Sequence, residues 1–421
     1  MRETIAHRLG STGLYLFAFC LWLSSAAAYA ALGLMLVSFC LQVPEQRKRL
    51  AHEPLFLLFV LFLLFVGLQS IWLQVTGVSR FSFKSAWDWI SLWLFILVAL
   101  HLGGDENRIL RCLVLAFTGL LLALAHEIFF DTGWEAFVEA FHKKRYGILF
   151  SQNEAGHYSA VLFLGFLLFS PRLLQRSRRV GFTVLRVLFW ASGFLVSLEM
   201  LLLSGSRASW LACALGTVIC VPWLYIAEFR TNPRLLNRSG KTLAALLAAL
   251  LLLLGFLNLD KITNRIHYTL DTDKRFMQQL LRLDFKSMSL QNWGGNYSKG
   301  LMIRSVLSYY GIDLVRDRPW MGWGTEVNLP RLLAQKTGMK QLDHFKHLHN
   351  GFVILPARFG LLGSALFFLA ALYLLYGLFS VRRTRRMSRD IAVFLFGTLL
   401  ITAVVGAFNF RWTQMDFRFF W

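Results

Sequence analysis

Long apolar runs dominate this sequence and restrict the folds that it can adopt. A helix needs about 20 residues to cross the hydrocarbon core of a bilayer, and ten stretches approach or exceed that length. They span residues 12–43, 54–75, 86–102, 110–130, 155–171, 181–204, 208–227, 242–259, 350–380 and 391–409. Apolar residues make up 56% of the chain and charged residues 16%, which excludes a soluble globule and a disordered scaffold.

Basic residues in the connectors between these runs predict the orientation of the chain. Cytoplasmic loops of membrane proteins carry an excess of Lys and Arg. The basic connectors here are residues 47–49, 108–111, 172–179, 230–241 and 382–389. If they lie in the cytoplasm, the segments that lie outside are residues 76–85, 131–154, 204–207 and 260–349.

Run 12–43 is predicted to form two helices. Arg2 and Arg8 precede it and residues 47–49 follow it, so both of its ends belong in the cytoplasm. The alternative is a cleaved signal peptide that ends near Ala28-Tyr29-Ala30, although the apolar sequence continues past that point.

Run 350–380 is too long to cross once as a straight helix. It would measure about 46 Å at 1.5 Å per residue, whereas the hydrocarbon core is roughly 30 Å thick. Pro356, Gly360 and Gly363 can break it. We expect residues 350–359 to form an interfacial or re-entrant entrance and residues 360–380 to form the span.

The expected fold is an all-α integral membrane protein with about 11–12 transmembrane helices. A twelfth helix requires that the tail after Asn409 re-enters the membrane. Residues 1–259 would form a transmembrane bundle, residues 260–349 a large outer connector with short helices of its own, and residues 350–421 the C-terminal transmembrane helices. The membrane spans exclude a peripheral nucleic-acid binder.

The large outer connector is basic, and topology does not explain this. Residues 260–346 contain fourteen Lys and Arg against eight Asp and Glu, and long translocated domains are exempt from the positive-inside rule. A bound anionic substrate would explain the excess, and so would attraction to anionic lipid head groups.

Three elements outside the membrane carry residues suited to binding an anion or moving a proton. Ser206 and Arg207 belong to a Ser-Gly-Ser-Arg turn that opens a span, where helix amides and a guanidinium favour phosphate. Arg304 lies on a predicted amphipathic helix ahead of Arg318-Pro-Trp-Met-Gly-Trp-Gly324, and Arg265 and Arg275 are further candidates with weaker context. An arginine at a membrane edge or on a helix surface is the ordinary alternative.

His349 and Asn350 form the third element, directly before an apolar run. Histidine can take a proton near neutral pH, and Asn350 suits a helix cap. Two metal readings compete with this one. His344, His347 and His349 form H-x-x-H-x-H, and Asp271 with Asp273 forms D-x-D, but neither pattern has a convincing full ligand set.

Together these elements resemble the bacterial O-antigen ligase family. His349-Asn350, nine residues, Gly360, two residues and Gly363 fit its H-[NSQ]-x9-G-x-x-G pattern. The Ser206-Arg207 turn resembles the family's S-R element, and residues 304–324 resemble its R…P…G-x-G element. The resemblance covers roughly residues 145–370.

The resemblance implies an inner-membrane glycosyltransferase of lipopolysaccharide biosynthesis with its active site on the periplasmic side. The donor would be O-antigen polysaccharide on undecaprenyl diphosphate, and the acceptor the lipid A-core oligosaccharide. Such enzymes invert the anomeric centre and use neither metal nor cofactor. His349 would be the general base, and Arg207 and Arg304, with Arg265 as a weaker match, would hold the donor diphosphate.

Three other functions remain open from the sequence. An O-antigen polymerase uses the same donor with a second lipid-linked glycan as acceptor. A protein O-oligosaccharyltransferase shares the histidine element. A transporter of lipid-linked glycans would show repeated halves and charges near the bilayer midplane, and neither is evident here.

Overall fold

The computed structural model describes residues 2–131, 151–174, 180–231, 299–383 and 387–410, together with a few isolated positions. Its helices, in chain order, are α1 (Arg2–Cys20), α2 (Ser25–Ala51), α3 (Pro54–Val75), α4 (Phe83–Ile90), α5 (Phe95–Leu102), α6 (Glu106–His126), α7 (Gln152–Leu168), α8 (Ser170–Leu173), α9 (Val180–Ser204), α10 (Arg207–Thr231), α11 (Lys299–Asp317), α12 (Leu329–Thr337), α13 (Gly351–Arg383) and α14 (Arg389–Phe408). Two 3-10 turns, Ser91–Leu94 and Lys340–His344, and a π-helical turn, Glu127–Asp131, accompany them.

The helices identify an all-α integral membrane protein. Within the described ranges there are no strands, and eight helical segments are long and apolar enough to cross a membrane. These are Ser25–Gln42, Pro54–Val75, Phe83–Leu102, Glu106–His126, Gly181–Ser204, Arg207–Ile226, Gly351–Ser380 and Arg389–Phe408. Helix α1 occupies the first half of the expected run 12–43, and α7 occupies the expected run 155–171. The run at 242–259 lies outside the described residues, as do Arg265, Arg275, Asp271 and Asp273.

Helices α1 and α2 form an antiparallel hairpin, as the basic flanks of run 12–43 predict. The Ser38 hydroxyl donates to the Ala6 carbonyl at 2.6 Å. Nearer the turn, Gly13 packs so closely on α2 that a Cβ there would lie 2.9 Å from the Ala31 carbonyl oxygen. Both basic ends of the hairpin therefore lie on the same side of the bundle.

Helices α7, α9, α10 and α14 pack together around a second apolar core. Helix α14 runs antiparallel to α7, because His157 pairs with Thr402 near one end and Gly165 contacts Phe394 further along. The Trp190 indole N–H of α9 donates to the Phe166 carbonyl at 3.0 Å. This arrangement places the start of α7, the end of α9, the start of α10 and the end of α14 at one end of the bundle.

Helix α13 breaks at Gly360, one of the three expected breakers. Gly360 has φ 62° and ψ −169°, whereas Pro356 is accommodated inside the helix. Residues 351–359 are helical, so the expected entrance segment is the first, short half of a broken helix. Antiparallel α3 lies alongside, where Phe62 contacts Phe359 and Phe367 at 5.5 and 4.8 Å between ring centroids.

The two ends of the bundle differ in chemistry. At one end Arg172 binds Asp390 through Nε at 2.8 Å and Glu106 through Nη1 at 2.9 Å. Burial opposes the charge of Arg172, but hydrogen bonds and charges from both carboxylates raise its pKa above the ordinary value. We call this the basic end. The site end is the opposite one, where α3, α9 and α14 end and α7, α10 and α13 begin.

Candidate active site

His349 lies directly before α13 in a backbone conformation that is uncommon for its residue type. Its φ is 60°, and elsewhere in the described ranges only glycines have a positive φ. Holding a residue other than glycine there costs roughly 1–3 kcal/mol, so the surrounding structure must enforce it. Asn350 caps the helix, because its Oδ1 accepts from the Phe352 amide at 3.0 Å and its carbonyl accepts from the Ile354 amide at 2.9 Å.

Aromatic rings surround His349 at the site end. The His347 ring centroid lies 4.3 Å away at an interplanar angle of 72°, and the Phe345 ring lies 5.9 Å away. Phe410, just beyond α14, contacts His347 at 5.9 Å and Trp89 at 5.5 Å. His349 is partly buried by these contacts, which join the end of α4 and the start of α13 to the end of α14.

The histidine trio does not come together as a metal-ligand set. His344 is exposed on a 3-10 turn, whereas the rings of His347 and His349 contact each other. In the part of the chain that the structure describes, no group of three or more His, Cys, Asp or Glu side chains is placed to hold a metal ion. The pair Asp271 and Asp273 lies outside that part.

Arg207 is the first residue of α10, after a tight turn built from serines. Gly205 has φ 54°, and the Ser206 amide donates to the Ser204 hydroxyl at 3.2 Å. The Ser209 hydroxyl donates to the buried Ser206 hydroxyl at 2.9 Å. The turn thus fixes the helix start at which Arg207 stands, and the positive end of the helix dipole adds to the charge of its guanidinium.

This serine turn packs against Gly156 of α7. A Cβ at Gly156 would lie 2.7 Å from the Ser204 Oγ, 2.8 Å from the Ser209 Oγ and 3.0 Å from the Ser206 Cβ. Any larger residue would push the turn away, because real Cβ atoms do not approach so closely. The position of Arg207 therefore depends on a residue that is more than 40 positions earlier in the sequence.

Arg304 lies in the second turn of α11, and this helix packs against the residues that flank His349. Seven residues after Arg304, a Cβ at Gly311 would lie 2.7 Å from the Val353 Cγ1 and 3.0 Å from the Leu348 Cδ1. Arg304 is thus about 10 Å along the helix from this contact. Helix α11 ends at Asp317 and leads into the segment Arg318–Gly324, which contains Pro319 and two glycines.

Helix α7 connects the Arg207 side of the site end to the His349 side. While Gly156 touches the serine turn, Tyr158 is buried in the same apolar core as Leu348 and Phe410. Its ring also stacks on His157 at 5.6 Å. Buried His157 hydrogen-bonds through Nε2 to the Thr402 hydroxyl of α14 at 3.2 Å.

An apolar cavity of 340 Å³ opens beside this arrangement, between α13, α14 and the middle of the α4–α5 span. It runs from Phe352, three residues after His349, to the depth of Leu375 on α13, and Thr402 lines it from α14. Almost all of its wall is hydrocarbon, with Trp93 and several phenylalanines among the lining residues. The cavity can hold part of a lipid chain whose polar head lies near His349.

The sequence indicated the motif residues but not the residues that hold them in place. Gly156, His157, Gln69 and Arg358 were not among the candidates, although Gln69 and Arg358 are the kind of polar interruption of an apolar run that marks function or specific pairing. Gly156 carries no such signal, because nothing in its local sequence indicates the serine turn that it contacts.

The comparison with known families agrees with the order of these elements. Residues 192–368 match the family model described as O-antigen ligase. The match includes Arg207, Arg304, His349 and the break at Gly360, and it omits α1 to α8 and α14. No curated protein matches the chain. This chain is therefore an all-α, multi-pass membrane protein whose residues 192–368 are similar to the O-antigen ligase family.

Proposed function

We propose that the protein is an O-antigen ligase, which transfers O-antigen polysaccharide from undecaprenyl diphosphate to the lipid A-core oligosaccharide. The family match supports a ligase- or polymerase-type membrane glycosyltransferase. The choice of lipid A-core as acceptor follows the resemblance and the large connector close to the histidine. Residues 260–349 would then form a periplasmic domain between two membrane parts, 1–259 and 350–421.

The backbone of His349 is the observation that carries the proposal. An energetically unfavourable φ of 60° holds its ring at the head of a capped helix, beside aromatic rings and the cavity. Strained residues cluster where structure serves chemistry. A partly buried imidazole at the end of a lipid-sized cavity is suited to accept a proton from an acceptor hydroxyl.

The reaction balances with His349 as the only proton acceptor. The acceptor hydroxyl oxygen attacks the anomeric carbon of the donor sugar, from the face opposite the diphosphate. As the new C–O bond forms, the bond from the anomeric carbon to the diphosphate oxygen breaks and its electron pair leaves with undecaprenyl diphosphate. The hydroxyl proton passes to His349, and the anomeric configuration inverts.

Arg207 and Arg304 would neutralise the charge that develops on the leaving diphosphate. Guanidinium forks bind phosphate oxygens through paired hydrogen bonds, and fixed positive charge at a leaving group stabilises the transition state. The serine turn and the start of α10 fix the Arg207 side, with Ser206 and Asn350 at the edges of the site. Since two arginines can supply this stabilisation, we propose a mechanism that needs no metal.

The membrane setting fits two lipid-anchored substrates. Both undecaprenyl diphosphate and lipid A-core would lie in the periplasmic leaflet of the inner membrane, with their polar groups at the site end. The cavity beside Phe352 gives a lipid chain access from the bilayer while its head group stays level with His349.

The identity of the acceptor tests the proposal. Purified protein in nanodiscs is given lipid-linked glycan with lipid A-core, with further lipid-linked glycan alone, or with a pilin-like protein, each with and without excess EDTA. The proposal expects sugar on lipid A-core in both conditions. Elongated lipid-linked glycan would identify a polymerase, glycosylated pilin a protein transferase, and loss of transfer in EDTA that Mg²⁺, Mn²⁺ or Zn²⁺ restores would refute the metal-free mechanism.

A further inference from the structure

The break in α13 leaves backbone groups that the helix itself cannot satisfy. A helix end exposes carbonyls on one side and N–H groups on the other, and a break in a membrane helix is tolerated only where other groups satisfy them. Residues 319–324 do so here. The Trp323 amide donates to the Ala357 carbonyl at 2.9 Å, and the Gly324 amide donates to the Arg358 carbonyl at 2.8 Å. We call residues 319–327 the docking loop.

Carbonyl groups of the docking loop also accept hydrogen bonds from the second half of the broken helix. The Leu361 amide donates to the Pro319 carbonyl at 2.6 Å, and the Leu362 amide donates to the Trp320 carbonyl at 3.4 Å. The loop thus replaces hydrogen bonds on both sides of Gly360. Since α11 leads directly into this loop, the same joint connects the helix that carries Arg304 to the helix that follows His349.

Gln69 of α3 also binds at the contact between the docking loop and α13. Its side chain is 1% exposed, and its Nε2 donates both to the Met321 carbonyl of the loop and to the Arg358 carbonyl of α13, the latter at 2.7 Å. One amide group therefore joins α3, the loop and the broken helix. Gln69 lies outside the part of the chain that matches the family.

Arg358 holds the far side of the docking loop. Its Nη1 atom donates to three loop carbonyls, those of Gly324 at 3.0 Å, Thr325 at 2.8 Å and Val327 at 3.3 Å. Between these residues, Glu326 accepts from the Ser82 amide at 3.2 Å and from the Ser85 hydroxyl at 3.1 Å. The loop is thereby tied to the start of α4 as well.

We propose that Gln69 and Arg358 are positioning residues for His349, which act by locking the docking loop against the break in α13. This inference rests on the proposed function. The segment that they hold, residues 351–359, begins two residues after His349, and the left-handed backbone of His349 needs such external support. Neither residue is placed at the donor arginines. Arg207 and its serine turn rest on α7, and Arg304 lies about 20 Å along α11 from the docking loop, beyond the contact of Gly311 with Val353.

The lock predicts a loss of rate without a loss of donor binding. Gln69→Met keeps the length of the side chain and removes both hydrogen bonds, and Arg358→Met removes three. A misplacement of about 1 Å can slow a reaction by about 100-fold, so we expect each variant to transfer sugar roughly 10- to 100-fold more slowly per bound donor. Donor affinity and the number of donor sites per protein should stay at the wild-type level.

Arg358→Lys separates positioning from phosphate binding. An ammonium has three donors on one nitrogen, which suits the three carbonyls that now surround a single Nη1 atom, so this variant should keep most of the rate. Ser70→Ala is the matched control, because among the described residues the Ser70 hydroxyl bonds only within its own helix, at the Val66 carbonyl. It should behave as wild type in every assay.

The experiment measures donor-binding stoichiometry, transfer rate per bound donor and hydrogen exchange at the amides of Trp323, Gly324 and Leu361 in nanodiscs. Faster exchange together with slower transfer at full donor binding supports the lock. Three results would overturn it. Amide exchange could be faster while the transfer rate stays at the wild-type level, or the transfer rate and the number of donor sites could fall in equal proportion. Arg358→Lys could also slow transfer as much as Arg358→Met does.

Two controls keep the outcome interpretable. If the methionine variants do not fold, Gln69→Asn should show intermediate exchange and an intermediate rate, while Arg358→Lys stays near wild type in both. A wild-type rate with faster exchange in Gln69→Asn would contradict the lock. If the wild-type protein itself transfers no sugar, the proposed function fails. Wild-type exchange at the three amides in Gln69→Met would then independently refute the lock itself.

Discussion

Gly322 and Gly360 face each other across the break in α13, so closely that neither has room for a side chain. A Cβ at Gly322 would lie 2.5 Å from the Gly360 nitrogen, and a Cβ at Gly360 would lie 2.6 Å from the Met321 nitrogen. Both have positive φ angles, 66° and 62°. The G-x-G element that contains Gly322 and the G-x-x-G element that contains Gly360 therefore meet at one contact.

Gly360→Ala and Gly322→Ala should both destabilise the protein. Each adds roughly 1–3 kcal/mol of backbone strain and a clash with backbone that cannot move aside. Thermal denaturation in detergent should show a lowered midpoint for both. Gly377→Ala is the control on the same helix, since no atom of the described residues lies within 4 Å of its added Cβ. Equal midpoints for Gly360→Ala and Gly377→Ala would show that the break is not held as described.

Arg207→Ala and Arg304→Ala should each slow transfer by roughly 100- to 1000-fold, the effect of removing one transition-state donor. Lysine should rescue poorly, because it cannot form the paired hydrogen bonds of a guanidinium. Arg316→Ala is the control on α11, where the side chain is 77% exposed and pairs with Asp313 in the same helix. Steady-state kinetics decide: full activity in Arg207→Lys would mean that a point charge suffices there.

Gly156→Ala should weaken donor binding. The added methyl group would displace the serine turn and with it Arg207, so we expect the donor KM to rise about tenfold, equivalent to roughly 1.4 kcal/mol. The control is Gly67→Ala in α3, which has open space around the added Cβ. A Gly156→Ala enzyme with the wild-type KM would separate the turn from donor binding.

The site end is predicted to face the periplasm. In a variant that lacks the five native cysteines, Arg80→Cys at the site end should react with a membrane-impermeant maleimide in intact spheroplasts. His52→Cys at the basic end should react only after lysis. Both positions are exposed. The reverse pattern would invert the topology and remove the periplasmic site.

Hydropathy predicted the helices well because membrane spans are a local property of the sequence. Run 54–75 coincides with α3, and the basic flanks of run 12–43 indicate the hairpin. The span over Phe83–Leu102 starts earlier than the run at 86–102, because Lys84 and Ser85 lower the hydropathy of a first turn that packs at the site end.

The motif residues could be predicted, but the contacts that hold them could not. Gln69 and Arg358 are 289 positions apart, and Gly156 meets a turn nearly fifty residues later. No local pattern encodes such pairs. The left-handed backbone of His349 also depends on contacts outside its own segment, so the sequence indicated the residue type and the helix cap but not the strain.

His349 is the proposed general base, and three alanine variants test this role side by side. Transfer and donor affinity are measured for His344→Ala, His347→Ala and His349→Ala. His349→Ala should lose at least about 100-fold in transfer, the usual contribution of a general base, with donor affinity intact because the base acts on the acceptor. The other two should keep substantial activity. A folded His349→Ala protein that transfers sugar at the wild-type rate would contradict the central claim, and equal, severe losses in all three would point to a metal site instead.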